Sequence, residues 1–306
     1  MKSIQLGRSG VSVPAIAVGC MRLNGIERAA REHLIAAAVE GGMYFFDHAD
    51  IYGGGSCETL FGEAVRALKI PREKLFLQSK CGIVPGKMFD FSEEHIVGSV
   101  EGSLKRLGTD HLDCLLLHRP DTLVRPEEVA SAFAKLEKAG KVRFFGVSNM
   151  HPMQIELIQS AVKQPIVADQ LQFSPTNATM ISEGLEVNML TEGAVARDGY
   201  IFEYCRLHQI TIQAWSPYQY GFFEGVYLQN DRFPALNKAI GEIGEKYGVE
   251  DVAVVAAWIL RHPADMQMVT GTMNEKRLLA IARGAEVALA REEWYQIYLA
   301  AGHILP

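Results

Sequence analysis

At 306 residues the chain is long enough for two domains or for one closed α/β barrel. Charged residues make up 22% and the formal net charge is −6, which argues against nucleic acid or an anionic membrane surface as the main partner. With 48% hydrophobic content it can bury a large core, yet no apolar run approaches the roughly 18 residues of a membrane span.

Residues 3–14 read as two short strands around the turn Arg8-Ser9-Gly10. "AIAVG" follows as a strand, then a helix over about 27–40, whose apolar face is Ala30, Leu34, Ala37, Ala38 and Val39. The stretch "VPAIAVGC" loosely resembles a lipoprotein cleavage site. Ser12 and Pro14 break it and leave too short an apolar core, so the strand reading stands. "MYFFD" precedes a helix over 56–68, with Ser56 as its expected cap and Pro71 beyond its end. "LFLQSK" leads through a loop to a helix over 92–107, where Glu93 and Glu94 suit the positive end of the helix dipole. "LDCLLLH" leads to a helix over 126–139, with Pro126 in its first turn and Gly140 past its end.

"VRFFGVS" is followed by a helix near 152–160, and "PIVADQLQ" is the next strand. A helix near 198–208 leads to "ITIQAWS", helices occupy roughly 234–261, and the apolar run at 252–260 reads as a buried helix. "QMVTG" opens into a helix from 274, and a last helix spans about 291–301. Strands alternating with helices imply a parallel sheet. Eight such units imply an α/β fold, a (β/α)₈ TIM barrel with an N-terminal β-hairpin at its bottom, formed by residues 1–306 as one domain. An open doubly wound sheet is disfavoured because Gly53-Gly54-Gly55 has Glu58 where a third fingerprint glycine should fall. Two long connections, 174–197 and 216–233, stand out; the aromatics of the second could be rim packing or a lid.

Asp47, Tyr52, Lys80 and His118 fall at or just past the C-terminal ends of three of these strands, which a parallel barrel gathers at its catalytic mouth. Singly, each has a plain structural explanation: a turn cap, a solvated lysine, a structural histidine. Together they make a tuned proton donor. A phenol is a poor acid near neutral pH, an ammonium such as Lys80 lowers its pKa, and Asp47 can hold that ammonium in place. His118 can donate to a carbonyl oxygen. The set suits protonation of an oxygen on which negative charge develops, as carbonyl reduction requires. A metal-dependent hydrolase using His48, Asp50 and His118 lacks an HxH pair and a bridging carboxylate. Metal ligation is not expected. The five cysteines (Cys20, Cys57, Cys81, Cys114, Cys205) are odd in number and scattered, as in a reducing cytoplasm. Cys57 and Cys81 lie beside the candidate site, with burial the expected fate of both.

"FDHADIYGGGSCE", "LFLQSKCGI", "LDCLLLHRPD", "GKVRFFGVSNM" and "QAWSP", in this order and spacing, resemble the aldo-keto reductase superfamily. "DHADIYG", "SKCGI" and "LLHRPD" resemble its bacterial aldo/keto reductase oxidoreductase branch. The resemblance implies Tyr52 as general acid, tuned by Asp47 and Lys80, with His118 orienting the carbonyl. It implies NADP(H), and less often NAD(H), bound extended without a Rossmann fold. On the same resemblance Ser148, Asn149 and Gln170 would hold the carboxamide and Trp215 would stack on the nicotinamide. Gly19, Cys20, Met21 and Arg22 would approach the ring and ribose, and Ser216 and Pro217 begin the loop over the pyrophosphate. Gly271, Thr272, Met273 and Arg277 would meet the phosphates at a helix start, with Arg277 offering a fork to a 2′-phosphate.

Three departures are visible: Met273 where Ser or Thr is common, Ala280 and Ile281 where a Glu/Asn pair commonly reaches the adenine, and Asp169 where many members have Asn. A cytoplasmic protein, monomeric or weakly homo-oligomeric and acting on a small-molecule carbonyl, is the resulting expectation. The alternative within the same scaffold is a nicotinamide-sensing binding protein with weak or no turnover.

Overall fold

Eight parallel strands close into a barrel in the computed structural model, which describes residues 1–305. They are β1 Ile16–Gly19, β2 Phe45–Asp47, β3 Phe76–Cys81, β4 Leu112–Leu117, β5 Val142–Ser148, β6 Ile166–Gln172, β7 Thr211–Trp215 and β8 Gln267–Thr270. Each pairs with its neighbour in chain order, and β8 pairs with β1. Strands of a parallel barrel are covered on both faces, so they read as near-continuous apolar runs rather than alternating ones. β3 and β4 are accordingly buried at every position.

Ten of the helices are those the sequence foretells, within a few residues at the ends: α1 Arg28–Glu40, α2 Ser56–Ala67, α3 Glu93–Leu107, α4 Pro126–Lys138, α5 Pro152–Gln159, α7 Ile201–His208, α8 Pro234–Tyr247, α9 Asp251–Leu260, α10 Glu275–Arg283 and α11 Arg291–Ala300. The one not foretold is α6, Thr179–Leu185, inside the long connection after β6. α8 ends where Gly248 takes a left-handed conformation, φ 64°, and α9 then runs almost wholly buried. Trp258 of α9 stacks on Trp294 of α11 at 4.9 Å, and each indole N–H donates to the other residue's carbonyl at 3.0 Å. No helix among the described residues is long and apolar enough to cross a membrane.

The N-terminal hairpin pairs Ser3–Gln5 with Ser12–Pro14 and lies across the N-terminal ends of the barrel strands. Its Gly7 N–H donates to Thr211 Oγ1 at 2.8 Å, and Gln267 Nε2 donates to the Pro14 carbonyl at 2.7 Å. The opposite mouth, where the cavity opens, stays free for chemistry. Two small hairpins not foreseen in the sequence, Ile83–Val84 with Met88–Phe89 and Gln219–Tyr220 with Gly225–Val226, rise at that mouth from the loops after β3 and β7.

β3 is fixed from outside by a buried polar clamp. Ser79 donates to Glu58 Oε1 of α2 at 2.6 Å, and Arg106 of α3 meets Glu58 Oε2 at 2.7 Å. α2 and α3 approach closely because position 62 is glycine: a Cβ there would lie 2.4 Å from the Leu107 carbonyl oxygen. Gly62→Ala therefore sets a helix-propensity gain of up to about 1 kcal/mol against an overpacking cost of about 1–3 kcal/mol. Because the obstacle is backbone, the clash should win, and urea unfolding should show a net loss of about 1–2 kcal/mol. A midpoint that is unchanged or higher would mean that α3 can slide away freely.

Candidate active site

Alternation along the strands decides which side chains enter the barrel. Asp47 ends β2, and Lys80 lies two residues beyond Gln78 on β3, so both point inward. Tyr52 opens a short turn, Tyr52–Gly55, in which Gly53 and Gly54 take positive φ and steer the chain back into α2. Gly55, in a left-handed conformation, precedes the helix, and Ser56 turns back to donate to the Gly53 carbonyl at 2.7 Å. Ser56 is thus not the side-chain cap expected from sequence; the helix entry is set by glycine backbone.

The four residues meet at the mouth. Lys80 Nζ lies 2.7 Å from each oxygen of Asp47, 2.7 Å from the His48 carbonyl and 3.2 Å from Tyr52 Oη. The His118 and Tyr52 rings meet nearly edge to face, with centroids 5.9 Å apart. Lys80 is buried behind the others, whereas Asp47, Tyr52 and His118 line a cavity of about 1280 Å³. An ammonium behind a phenol, with an imidazole opposite, can meet an oxygen that gains negative charge and hand it a proton.

Burial pulls the Lys80 ammonium down, but Asp47 and Tyr52 together outweigh it and hold the amine above the ordinary lysine range. Burial also pushes the Tyr52 phenol up, and the pull of Lys80 only partly offsets that push. This departs from the pairwise expectation of a lowered phenol, because desolvation of the phenolate exceeds the attraction of an ammonium already engaged by Asp47. The phenol is consequently protonated at neutral pH. Burial, then the charges of Lys80 and Arg119, hold His118 well below the ordinary imidazole value, so its ring is neutral. Its Nδ1 is buried without a partner.

A layer of glutamines lies beneath the site, of which only Gln170 stands out in the sequence. Gln78 and Gln170 each donate to Asp47 Oδ1, at 2.6 and 3.0 Å. Gln213 exchanges hydrogen bonds with Gln78 and donates to Gln267. The register sets Gln170, Gln213 and Gln267 side by side on β6, β7 and β8. Asp47 therefore sits on a hydrogen-bonded amide floor. The available signal was one glutamine at an inward position in each of several otherwise apolar strands.

Of the remaining candidates, Gly19, Met21, Arg22, Ser148, Asn149, Gln170, Trp215, Ser216, Pro217, Gly271, Thr272, Met273 and Arg277 line the same cavity. Cys20 does not; its thiol is buried, 3.5 Å from the Val18 carbonyl. Asn149 donates to Ser148 Oγ at 2.8 Å and accepts from Trp215 Nε1 at 3.0 Å. Phe223, from the hairpin after β7, stacks on Trp215 with centroids 5.8 Å apart. Arg22 donates to the Gly271 carbonyl at 3.2 Å, joining the ends of β1 and β8. Asn274 caps α10 by accepting from the Arg277 N–H at 2.9 Å.

The aromatics of 216–233 divide by role. Tyr218 and Tyr227 anchor the loop base through bonds to the Val252 and Pro217 carbonyls, while Phe222 and Phe223 overhang the cavity. Asp169, the residue before Gln170, is fully buried with neither oxygen in a well-formed hydrogen bond, and burial pushes its carboxyl up to about 8. All five cysteines are free and buried, and burial raises the thiols of Cys57 and Cys81. Burial also drives His48 down to about 3, edge-on against Phe61 at 4.6 Å. Among the described residues no three or more His, Cys, Asp or Glu side chains are grouped so as to hold a metal ion.

Known proteins resemble the chain over nearly its whole length. The family model described as the aldo/keto reductase family matches residues 15–300. A 6-dehydroglucose reductase of Agrobacterium fabrum is 35% identical over 87% of this chain and 86% of its own length. The oxidoreductase YdhF of Escherichia coli is 31% identical over the whole of both chains. A solved thermostable aldo-keto reductase, Tm1743, in complex with the inhibitor epalrestat, superposes with a TM-score of 0.79 at 27% identity, covering 98% of this chain and 100% of that one. The chain belongs to the aldo/keto reductase family of NAD(P)H-dependent oxidoreductases, which reduce small carbonyl compounds.

Proposed function

We propose that residues 1–306 act as one barrel domain that reduces a small aldehyde or ketone to an alcohol, with NADPH as the preferred cofactor and Tyr52 as the proton donor. The single observation that carries this reading is the position of Lys80 Nζ, 2.7 Å from both Asp47 oxygens and 3.2 Å from Tyr52 Oη, at the mouth of the barrel. Tyr52 gives its proton to the carbonyl oxygen as charge grows there. Lys80 stabilises the phenolate left behind, Asp47 and the glutamine floor keep the ammonium in place, and His118 donates from Nε2 to the same oxygen. The tautomer with its proton on Nε2 leaves a bare lone pair on the unpartnered Nδ1.

The cofactor supplies the hydride, and the cavity offers groups of the right kind to hold it. Among the described residues Asn149 has one amide N–H uncommitted, and Gln170 Oε1 takes part in no hydrogen bond. That is the donor and acceptor pair a carboxamide needs. Trp215 offers a ring face, and Gly271, Thr272 and the start of α10 offer backbone amides to phosphate. A cavity of about 1280 Å³ exceeds the roughly 300–1,000 Å³ of an ordinary ligand pocket, leaving room for cofactor and substrate together.

A panel of aldehydes, ketones and quinones with NADPH and NADH, read by loss of nicotinamide absorbance, tests the reading; 6-dehydroglucose belongs in that panel. Absence of turnover with every member would sink it. Arg277 is exposed near the start of α10, lines the cavity and makes no ion pair among the described residues. A charge-assisted hydrogen bond from it to a 2′-phosphate is worth about 1.5–3 kcal/mol, so Arg277→Ala should weaken NADPH about tenfold or more and leave NADH nearly unchanged. Titration of tryptophan fluorescence with both cofactors measures this. Equal losses would place Arg277 at the pyrophosphate or in the support of the fold.

A further inference from the structure

Arg119 follows His118 directly at the end of β4 and lines the cavity, half-buried. Its guanidinium carbon lies 6.0 Å from the Trp215 ring centroid and 5.9 Å from that of Phe222. Among the described residues it has neither an ion pair nor a hydrogen bond. Arg72 and Arg143, by contrast, meet Asp113, and Arg106 meets Glu58. Burial alone lowers the Arg119 pKa, with no carboxylate acting against it. Two aromatic faces compensate only part of the cost of withdrawing a guanidinium from water.

The other unpaired cations of the lining, Arg22 and Arg277, stand at the ends of β1 and β8. β4 lies four steps from β8 around the eight-stranded barrel, so Arg119 faces the phosphate end from directly across the mouth. The lining carboxylates do not neutralise it either. Asp47 is held by Lys80, and Glu250 and Asp251 lie at the start of α9, between β7 and β8, with Glu250 paired to Arg283.

We infer that Arg119 is a specificity-determining residue, which selects carbonyl substrates carrying an oxyanion, a carboxylate or a phosphate, with Phe222 receiving the carbon skeleton beside it. The planar fork of a guanidinium matches such a group in a bidentate fashion, and the aromatic walls keep water from the pair. This rests on the reading of the same cavity as a carbonyl reductase site.

The test compares matched substrates with NADPH: 4-formylbenzoate against its methyl ester, and glyceraldehyde 3-phosphate against glyceraldehyde. The wild type should favour the anionic member of at least one pair by about 10- to 100-fold in kcat/KM, and added salt should erode that preference. The pair that shows it identifies the oxyanion. Arg119→Met should bring the ratio back toward unity, chiefly through KM. Arg119→Lys, which keeps charge but loses the fork, should fall between.

If no aldehyde is reduced at all, the underlying reductase reading fails. If neutral aldehydes are reduced without preference for either anionic partner, or the preference survives Arg119→Met, the inference is wrong while that reading stands. NADPH affinity measured in the same variants separates a cofactor contact: a loss there as large as the loss in substrate selectivity would also overturn the inference. The wild-type comparison decides the matter even if Arg119→Met folds poorly.

Discussion

Tyr52→Phe should lower carbonyl reduction by about 10²- to 10⁴-fold, the usual worth of a positioned general acid, while NADPH still binds. The ring stays where it is, edge-on to His118, and only the hydroxyl is lost. Lys80 tolerates that loss, since both Asp47 oxygens and the His48 carbonyl still accept from it. Thermal stability should change little, so lost turnover could not be blamed on unfolding. Single-turnover rates with saturating NADPH, alongside a melting curve, measure both quantities. Near-normal turnover in a folded Tyr52→Phe protein would remove the phenol from the mechanism.

Lys80→Met should be as damaging to turnover and, unlike Tyr52→Phe, should also weaken the fold. Lys80 and Asp47 are both almost wholly buried, and breaking such a pair from one side typically costs about 3–5 kcal/mol. Asp47→Asn, which keeps an oxygen for Lys80, should be milder in rate.

The pH dependence has a definite sign. Reduction uses the protonated phenol, so the rate holds through neutral pH and falls as pH rises through the Tyr52 value. Burial sets that value above the ordinary value of about 10. Loss of Lys80 removes the one strong pull downward, and the alkaline limb should move further up. The stability from Lys80 runs in the same direction. Its pKa is raised on folding, so its contribution is complete below the unfolded value of about 10.4 and is lost as pH rises through the folded value. The gap in stability between wild type and Lys80→Met should therefore be constant near neutrality and narrow only in alkali. An unchanged alkaline limb would make Lys80 structural.

The barrel was legible because parallel strands covered on both faces leave uninterrupted apolar runs, and the catalytic candidates because they end those runs. What the sequence does not display has local reasons. The glutamines at 78, 213 and 267 look like isolated polar residues in apolar strands; their partners come from strands that only closure of the barrel brings together. α6 has seven residues and contains Gly184, too short a span for a 3.6-residue period to stand out. Ser56 has the composition of a cap, yet the left-handed Gly55 sets the helix entry, and a backbone angle cannot be read from a residue type that merely permits it. The direction of the Tyr52 shift lies beyond the sequence for a related reason. The attraction of one lysine can be inferred from two strand ends, but desolvation depends on everything packed around the phenol.

Product analysis after incubation with NADPH carrying deuterium at both C4 positions tests the central claim most directly. With an aldehyde from the panel, the account predicts one alcohol for each NADPH consumed and one deuterium on the former carbonyl carbon. Tyr52→Phe should still bind NADPH and form only a trace of the labelled alcohol. Tight NADPH binding by the wild type with no labelled alcohol from any carbonyl, the behaviour of a cofactor sensor, would contradict it.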